Sequence, residues 1–414
     1  MKNKSRRAFL IYLVGQGISN FGDSLRFIAV TILIFKLTGS GMTAAFGLIL
    51  SSLPSIIASP FAGVLGDRTN ERRVLVLVDL LRFMTVPLFL YMDTIWQVYL
   101  LLIFISLFDV FYGPPKKKFV LNITGKKGAL KANSYLAGAS GIAYLIGPLT
   151  AGFLTDRYGP APAIIIASFC CLTSCLLTIF AGVACRNAGR VDKAIVPRFS
   201  ILPLNLSHCN MKADFQEGLR YCFITSAVRK LLLIGFIMGF GIISVNMAFY
   251  PFAFDSLRVT ARGWSLMITL YYGTNLVAVL LVKYLEKYIK GMDERVFYNG
   301  LTIVSIIWMS YAFVTKLSIV LLLQFIEGSV IAVCGILLAA RFQVVTEREL
   351  MARASGTNDI FANMGKLAGM GCAVLLTRSY SFYAVFIFNS AILFLFAISG
   401  QISSKWSREI SGVH

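Results

Sequence analysis

Histidine is nearly missing from this chain of 414 residues, with only His208 and His414 present. That leaves little material for imidazole catalysis or for metal ligation. The sequence also holds no His-Glu-x-x-His, no Gly-x-Ser-x-Gly and no complete phosphate-binding loop; Gly365-Lys366 lacks the Ser or Thr that would follow. An enzyme is therefore not expected. Neither is a chain that by itself drives work with ATP, which leaves an ion gradient as the energy source. Eight cysteines are present but no Cys-x-x-Cys. Cys170, Cys171, Cys175, Cys334 and Cys372 sit in apolar stretches and read as small buried hydrophobes, so no disulfide framework, metal or cofactor is implied. Charge is the remaining shortage. Asp, Glu, Lys and Arg make up only 14% of the chain against 57% hydrophobic residues, at a mean hydropathy of +0.76. A water-soluble core could not hide so much apolar surface.

What the chain has instead is long apolar runs. Twelve of them, each near the ~20 residues that cross a bilayer, cover about 8–35, 43–65, 74–92, 96–112, 132–153, 162–184, 231–252, 263–283, 296–314, 318–340, 356–377 and 381–400. They predict an all-α membrane protein with twelve transmembrane helices. The net charge of +20 would suggest nucleic acid in a soluble protein, but its distribution has another origin. If the N-terminus is cytoplasmic, 29 of the 39 Lys and Arg fall in cytoplasmic segments and 6 on the opposite side. The positive-inside rule then puts both termini in the cytoplasm. Lys116-Lys117-Lys118 can also touch anionic lipid head groups. Lys2, Lys4, Arg6 and Arg7 before an apolar run imitate a signal peptide. That run is too long and is interrupted by Gln16, Asn20 and Asp23, so an uncleaved first span is expected.

Residues 185–230 form the one long polar segment, a cytoplasmic linker between an N-terminal six-span bundle, 1–184, and a C-terminal one, 231–414. The halves echo one another. Lys118-Phe119 on to Ala132-Asn133-Ser134, after the fourth span, matches in position and basicity Arg341-Phe342 on to Arg353-Ala354-Ser355, after the tenth. Two pseudo-symmetric six-helix bundles are what an alternating-access carrier is built from. The second span is rich in small residues, among them Ser51, Ser52, Ser55, Ala58 and Ser59, which let helices approach closely and slide.

Between the second and third spans lies Gly63-Val64-Leu65-Gly66-Asp67-Arg68-Thr69-Asn70-Glu71-Arg72-Arg73, a cluster of both charge signs. Its pattern Gly-x-x-x-Asp-Arg-x-x-x-Arg-Arg resembles the loop between helices 2 and 3 of the major facilitator superfamily of secondary transporters. Asn70 stands where the family usually has Gly, and Glu71 where it usually has a basic residue; Asn tolerates a left-handed backbone, so the turn is expected to survive. The opening Gly15-Gln16-Gly17-Ile18-Ser19-Asn20-Phe21-Gly22-Asp23 is similar to the start of the drug-exporter branch that includes macrolide efflux proteins and the enterobactin exporter. Lys212-Ala213-Asp214-Phe215 on to Tyr221 resembles the amphipathic lead-in to helix 7 of that branch. Gly138-x-x-Gly141 and Gly147-Pro148-Leu149-Thr150-Ala151-Gly152 resemble in part its antiporter motif, with Ala143 and Ala151 in place of two glycines. A packing face is the plainer reading of Gly138, Gly147 and Gly152, while Pro148 frees a carbonyl and permits bending. The resemblance covers essentially the whole chain. It implies the major facilitator fold, a bacterial cytoplasmic membrane, a small-molecule substrate, protons as coupling ion and no nucleic-acid partner.

The deepest charges are Asp23 and Arg26 in span 1, Glu327 in span 10 and Lys366 in span 11. A charge at a helix centre costs roughly 2.5–3.5 kcal/mol on insertion scales, so such residues face a cavity or a partner. The family architecture implies that spans 1, 4, 7 and 10 line the central cavity, which would put Asp23 and Glu327 on opposite walls. Glu327, with Gln324 one turn away to orient it, is the candidate proton-coupling or cation-binding carboxylate; the static rival is a Glu327–Lys366 pair. Gln16, Asn20, Asn246, Tyr250, Tyr271, Tyr272 and Asn275 could add cavity contacts, although each alone suits ordinary packing. Asp79 and Arg82 read as a structural pair. Asp67 is expected to dock on the N-terminus of span 11 while Arg68, Arg72 or Arg73 engages Asp109, making the loop a latch between the halves. The leading expectation is proton-coupled efflux of amphipathic, drug-like or siderophore-like molecules. A lipid or lysophospholipid transporter is the alternative, and a channel or non-transporting scaffold the alternative of another class.

Overall fold

The computed structural model describes residues 3–68, 70–186, 220, 222–274, 293–346 and 351–411. Twelve helices carry them: α1 (Asn3–Thr38), α2 (Gly41–Arg68), α3 (Glu71–Thr85, prolonged by a 3-10 stretch Val86–Tyr91), α4 (Ile95–Thr124), α5 (Lys126–Tyr158), α6 (Pro160–Arg186), α7 (Ser226–Pro251, prolonged by a π-helical turn Phe252–Ser256), α8 (261–274), α9 (Asp293–Tyr311), α10 (Leu317–Val345), α11 (Met351–Ser379) and α12 (Phe382–Ser411). Each apolar run read from the sequence falls on one of them, except that the part of the run 263–283 beyond residue 274 lies outside the described residues. Among the described residues nine helices are long and apolar enough to cross a membrane. A helix is what such runs must form, because hydrocarbon offers no partner to a free backbone N–H or C=O.

The helices outrun their apolar windows where the sequence is basic. α4 continues through Pro114 and Pro115 to Thr124, and α5 starts at Lys126. Gly125, at φ 70°, makes that reversal in a single residue, and Gly159, at φ 82°, does the same between α5 and α6; an L side chain is strained at these angles. Asn70 works differently from expectation. It is extended (φ −73°, ψ 110°) and caps α3, its side chain accepting from the Arg73 N–H at 3.2 Å. The turn thus uses the capping ability of Asn rather than its tolerance of left-handed backbone. Glu71 is also employed: it accepts from Asn122 at 2.8 Å and lies 4.0 Å from Lys118, both on α4.

The chain folds into two compact units. The first is Met1–Arg198 with Ala253–Gly273, the second Phe199–Phe252 with Thr274–His414. The division read from the sequence places 253–273 with the C-terminal bundle; in the structure these residues contact helices of the first unit. Asp255 accepts from the Gly41 N–H at the start of α2 at 2.9 Å, and Arg262 bonds Asp156 at the end of α5 at 2.8 Å. Phe254 stacks on Phe35 of α1 with centroids 4.5 Å apart. Gly152 admits α8 closely, since a Cβ there would strike the Ser265 side chain and come within 3.0 Å of the Ala261 carbonyl. Most of the linker read as 185–230 lies outside the described residues.

Glycines set the closest helix contacts of the second unit. A Cβ on Gly365 or Gly369 of α11 would collide with the carbonyl oxygens of Phe236 or Phe240 on α7, and one on Gly239 of α7 would reach the Ala362 carbonyl at 2.6 Å. Such small-residue seams replace the hydrophobic drive that is absent between helices in lipid. Gly365→Ala is therefore expected to destabilise the unit by ~1–3 kcal/mol, as overpacking does. Gly371→Ala, where a Cβ meets nothing within 4 Å, should be silent. Thermal unfolding of the two purified variants checks the contrast.

Candidate functional site

Among the described residues, two groups of buried polar and charged side chains bear on function, one in each unit. In the first, the i,i+3 pairs Asp23/Arg26 on α1 and Asp79/Arg82 on α3 meet Asp109 on α4. Arg82 is the hub. It bonds Asp109 directly, lies 3.8 Å from Asp79 and 4.0 Å from Asp23, and its guanidinium stands over the Tyr112 ring at 4.8 Å. Arg26 bridges Asp23 at 3.3 Å and Asp109 at 3.5 Å. Ser174 of α6 donates to Asp79 at 2.9 Å, Gln16 donates to the Tyr112 hydroxyl, and Asn20 donates to Ser140 of α5 at 2.7 Å. Exposure grades outward: the Asp79 side chain is 0% exposed, Arg82 5%, Arg26 14%, Asp23 22% and Asp109 37%. Three carboxylates share two guanidiniums, with half-buried Lys116 of α4 within electrostatic reach of Asp23, Asp79 and Arg82. Pairing of this kind offsets the desolvation cost of burying each charge.

The second place is built around Glu327 on α10, which is 2% exposed. Trp308 Nε1 donates to one carboxylate oxygen at 2.7 Å and the Tyr311 hydroxyl donates to the other at 2.6 Å. Both donors come from α9, one turn apart on one face. Aromatic rings close the pocket, with Tyr311 4.7 Å from Phe249 of α7 and 5.7 Å from Phe386 of α12. Gly241 of α7 makes room for the indole, since a Cβ there would stand 2.8 Å from Trp308. Among the described residues no cationic group lies within 4.0 Å of Glu327.

The rival Glu327–Lys366 pair is not formed in this structure. Lys366 is exposed and donates to Asn363 on its own helix at 3.2 Å. Neutral donors from α9 already occupy both Glu327 oxygens, so the carboxylate is satisfied away from α11. Gln324 does not orient it either; that side chain is 4% exposed and its Oε1 has no hydrogen-bond partner. Nor does Glu327 present itself on an open wall, whereas Asp23 is partly exposed. Of the other expected contacts, Asn246 is half-buried and Tyr250 buried in the second unit. In the first unit Tyr271 packs edge-on to Tyr272 at 5.1 Å. Asn275 lies outside the described residues.

The expected partners of Asp109 are also different. Arg82 and Arg26 hold it, while Arg72 donates to the Ile179 carbonyl of α6 at 3.0 Å and Arg73 is exposed. Arg72 finds its acceptor on α6 because its side chain runs over Gly182. The side chains of Asp67 and Arg68 lie outside the described residues, and Gly63 falls within α2. In α5, Gly147 and Gly152 are contact positions against α1 and α8, Gly138 faces open space, and the helix runs unbroken through Pro148. Sequence reasoning missed Trp308 and Tyr311. Their signal was a pair of hydrogen-bonding aromatics one turn apart near the end of an otherwise apolar span.

Comparisons with known proteins place this arrangement. The sequence profile of the Major Facilitator Superfamily matches residues 12–226. Over 411 residues, 96% of each chain, the protein is 21% identical to the multidrug efflux pump Tap of Mycolicibacterium fortuitum. Over 263 residues, 62% of each chain, it is 22% identical to macrolide efflux protein A of Streptococcus pyogenes. Another bacterial relative is matched over only 37% of its length. The fold is similar to that of a bacterial homologue of the iron transporter ferroportin in an inward-facing state, with a TM-score of 0.71 at 14% identity, covering 95% of this chain and 98% of that one. With the matched profile spanning more than half of an all-helical, multi-pass membrane chain, the protein belongs to the Major Facilitator Superfamily and is a transporter of that family.

Proposed function

We propose that the protein exports amphipathic small molecules across the bacterial cytoplasmic membrane by alternating access, coupled to protons through Glu327, with both termini in the cytoplasm. The observation that carries this reading is the isolation of Glu327: a buried carboxylate within an apolar span, with no cation within 4.0 Å among the described residues, held by two neutral donors. The efflux activity named for Tap and for macrolide efflux protein A supports the direction. The chemistry of the two donors suits a group that gains and loses a proton. Trp308 can only donate, whereas a tyrosine hydroxyl can donate to a carboxylate or accept from a carboxylic acid. Turning the Tyr311 hydroxyl therefore satisfies either form of Glu327 without moving α9 away from α10. The partly exposed end of the first cluster, Asp23 and Asp109, serves in this reading as the polar contact for substrate, with Asp79 and Arg82 anchoring it.

The test is transport in reconstituted vesicles with and without a pH gradient, using a lipophilic cationic dye, a macrolide and a catecholate siderophore. The wild type is expected to move at least one of them when the gradient is applied. Glu327→Gln should reduce that movement to the level seen without a gradient, and Tyr311→Phe should lower it while leaving membrane insertion intact. Full gradient-driven activity in Glu327→Gln would assign the carboxylate a structural role.

The loop after α2 is proposed to latch the halves, with Asp67 meeting the N-terminus of α11. A carboxylate at a helix N-terminus contributes about 0.3–1 kcal/mol. Asp67→Asn should accordingly slow transport a few-fold at normal expression and insertion, measured in the same vesicles. An unimpaired Asp67→Asn variant would remove the latch from the mechanism.

A further inference from the structure

Among the described residues of the second unit, Lys366 is the one basic side chain near the middle of a span. It stands nine residues beyond Thr357, where the apolar part of α11 begins, about 13 Å along the helix axis. That is further from the end of the apolar segment than a lysine stem reaches, which leaves the ammonium within the apolar stretch of the helix. The side chain is nonetheless exposed. Its surroundings decide what it is exposed to. On α11 the Gly365 and Gly369 face is pressed against α7, and Ile360, Met364, Leu367 and Leu375 form a separate exposed apolar stripe. Lys366 lies on neither. It shares the stripe of Asp359 and Asn363, at helical steps of seven and three, and its stem passes within 3.6 Å of where a Cβ on Gly239 of α7 would lie. A polar stripe beside a helix seam belongs against water or a ligand, since the apolar stripe is the one that suits lipid tails.

The ammonium has no counter-charge there. Its described partner is the neutral Asn363, no carboxylate lies within 4.0 Å among the described residues, and Asp359 is seven residues away on the same helix. Glu327 is committed to Trp308 and Tyr311. We propose that Lys366, with Asn363 beside it, is the recognition group for the anionic head of an amphipathic substrate, a carboxylate, phosphate or phenolate joined to an apolar body. The inference rests on the reading of the protein as a carrier of amphipathic molecules and adds the charge of what it carries. The positive charge is compensated by the ligand instead of by the protein, which makes binding of a neutral analogue weaker.

The experiment uses the full-length protein in nanodiscs of zwitterionic lipid and two fluorescent probes, 11-(dansylamino)undecanoate and its uncharged primary amide. The wild type is expected to bind the carboxylate at least about tenfold more tightly than the amide, the factor equivalent to about 1.4 kcal/mol. Lys366→Gln should remove that preference by weakening the carboxylate alone, and Lys366→Arg should keep it. Lys366→Met serves as a second neutral variant should Lys366→Gln fold poorly. Nanodiscs containing phosphatidylglycerol separate the sources: displacement of the probe identifies a lipid head group as the anion, and unchanged binding identifies a soluble amphiphile. Equal or absent binding of the two probes by the wild type, or a preference that survives in the neutral variants, overturns the proposal. The export reading fails separately. A wild type that prefers the carboxylate but shows no gradient-driven transport overturns export and leaves the anion site, whereas active export without any charge preference overturns only the site.

Discussion

A charge placed in hydrocarbon must be matched, hidden from lipid or put to use, and the arrangement of this protein follows from how each of its intramembrane charges meets that demand. In the first unit the demand is met collectively. Arg82 contacts three carboxylates on three helices, and its Tyr112 neighbour offers a π-face to the same guanidinium. A planar guanidinium with five donors in a fixed fork can hold several acceptors at once, where a lysine ammonium presents three donors around a single point charge. The second unit meets the same demand separately, with a carboxylate bonded by neutral groups and an ammonium left accessible. One unit is electrostatically locked, while the other holds Glu327 and Lys366 on consecutive helices, neither with an opposite charge within 4.0 Å among the described residues.

That contrast depends on close helix packing. Without the seam of Gly365 and Gly369 against α7, the stripe holding Lys366 would not be fixed relative to that helix, and without Gly241 there would be no space for the Trp308 indole. Small residues therefore act upstream of the polar chemistry. They set the distances at which donors and acceptors meet, and dispersion between closely approaching backbones supplies the attraction that water-driven burial cannot supply inside a bilayer.

The twelve helices were legible in the sequence because spanning a bilayer is a property of a contiguous run: enough apolar residues, with every backbone group bonded within the segment. The depth of Asp23 and Arg26 within span 1 was legible for the same reason, since it follows from that run alone. The hub role of Arg82 was not, because it requires knowing that α1, α3 and α4 converge. The Glu327 pocket was half legible. Its acid announced itself, but its partners are two aromatics on the preceding helix, and the sequence offered Lys366 as an equally spaced rival. Residues 253–273 follow the linker in sequence, yet Asp255, Arg262 and Ser265 fit against α2 and α5. Those contacts rest on side-chain fit, which chain order does not reveal. Asn70 was misjudged by applying a backbone preference where a side-chain cap was operating.

The bond from Trp308 to Glu327 has an optical side. The chain contains four tryptophans, and this one is 2% exposed with its N–H on a carboxylate oxygen. Indole emission shifts with the electric field along the ring, and a carboxylate at bonding distance dominates that field in a medium that screens weakly. A change of charge on Glu327 would thus register in the colour of the light that Trp308 emits once the other three tryptophans are replaced.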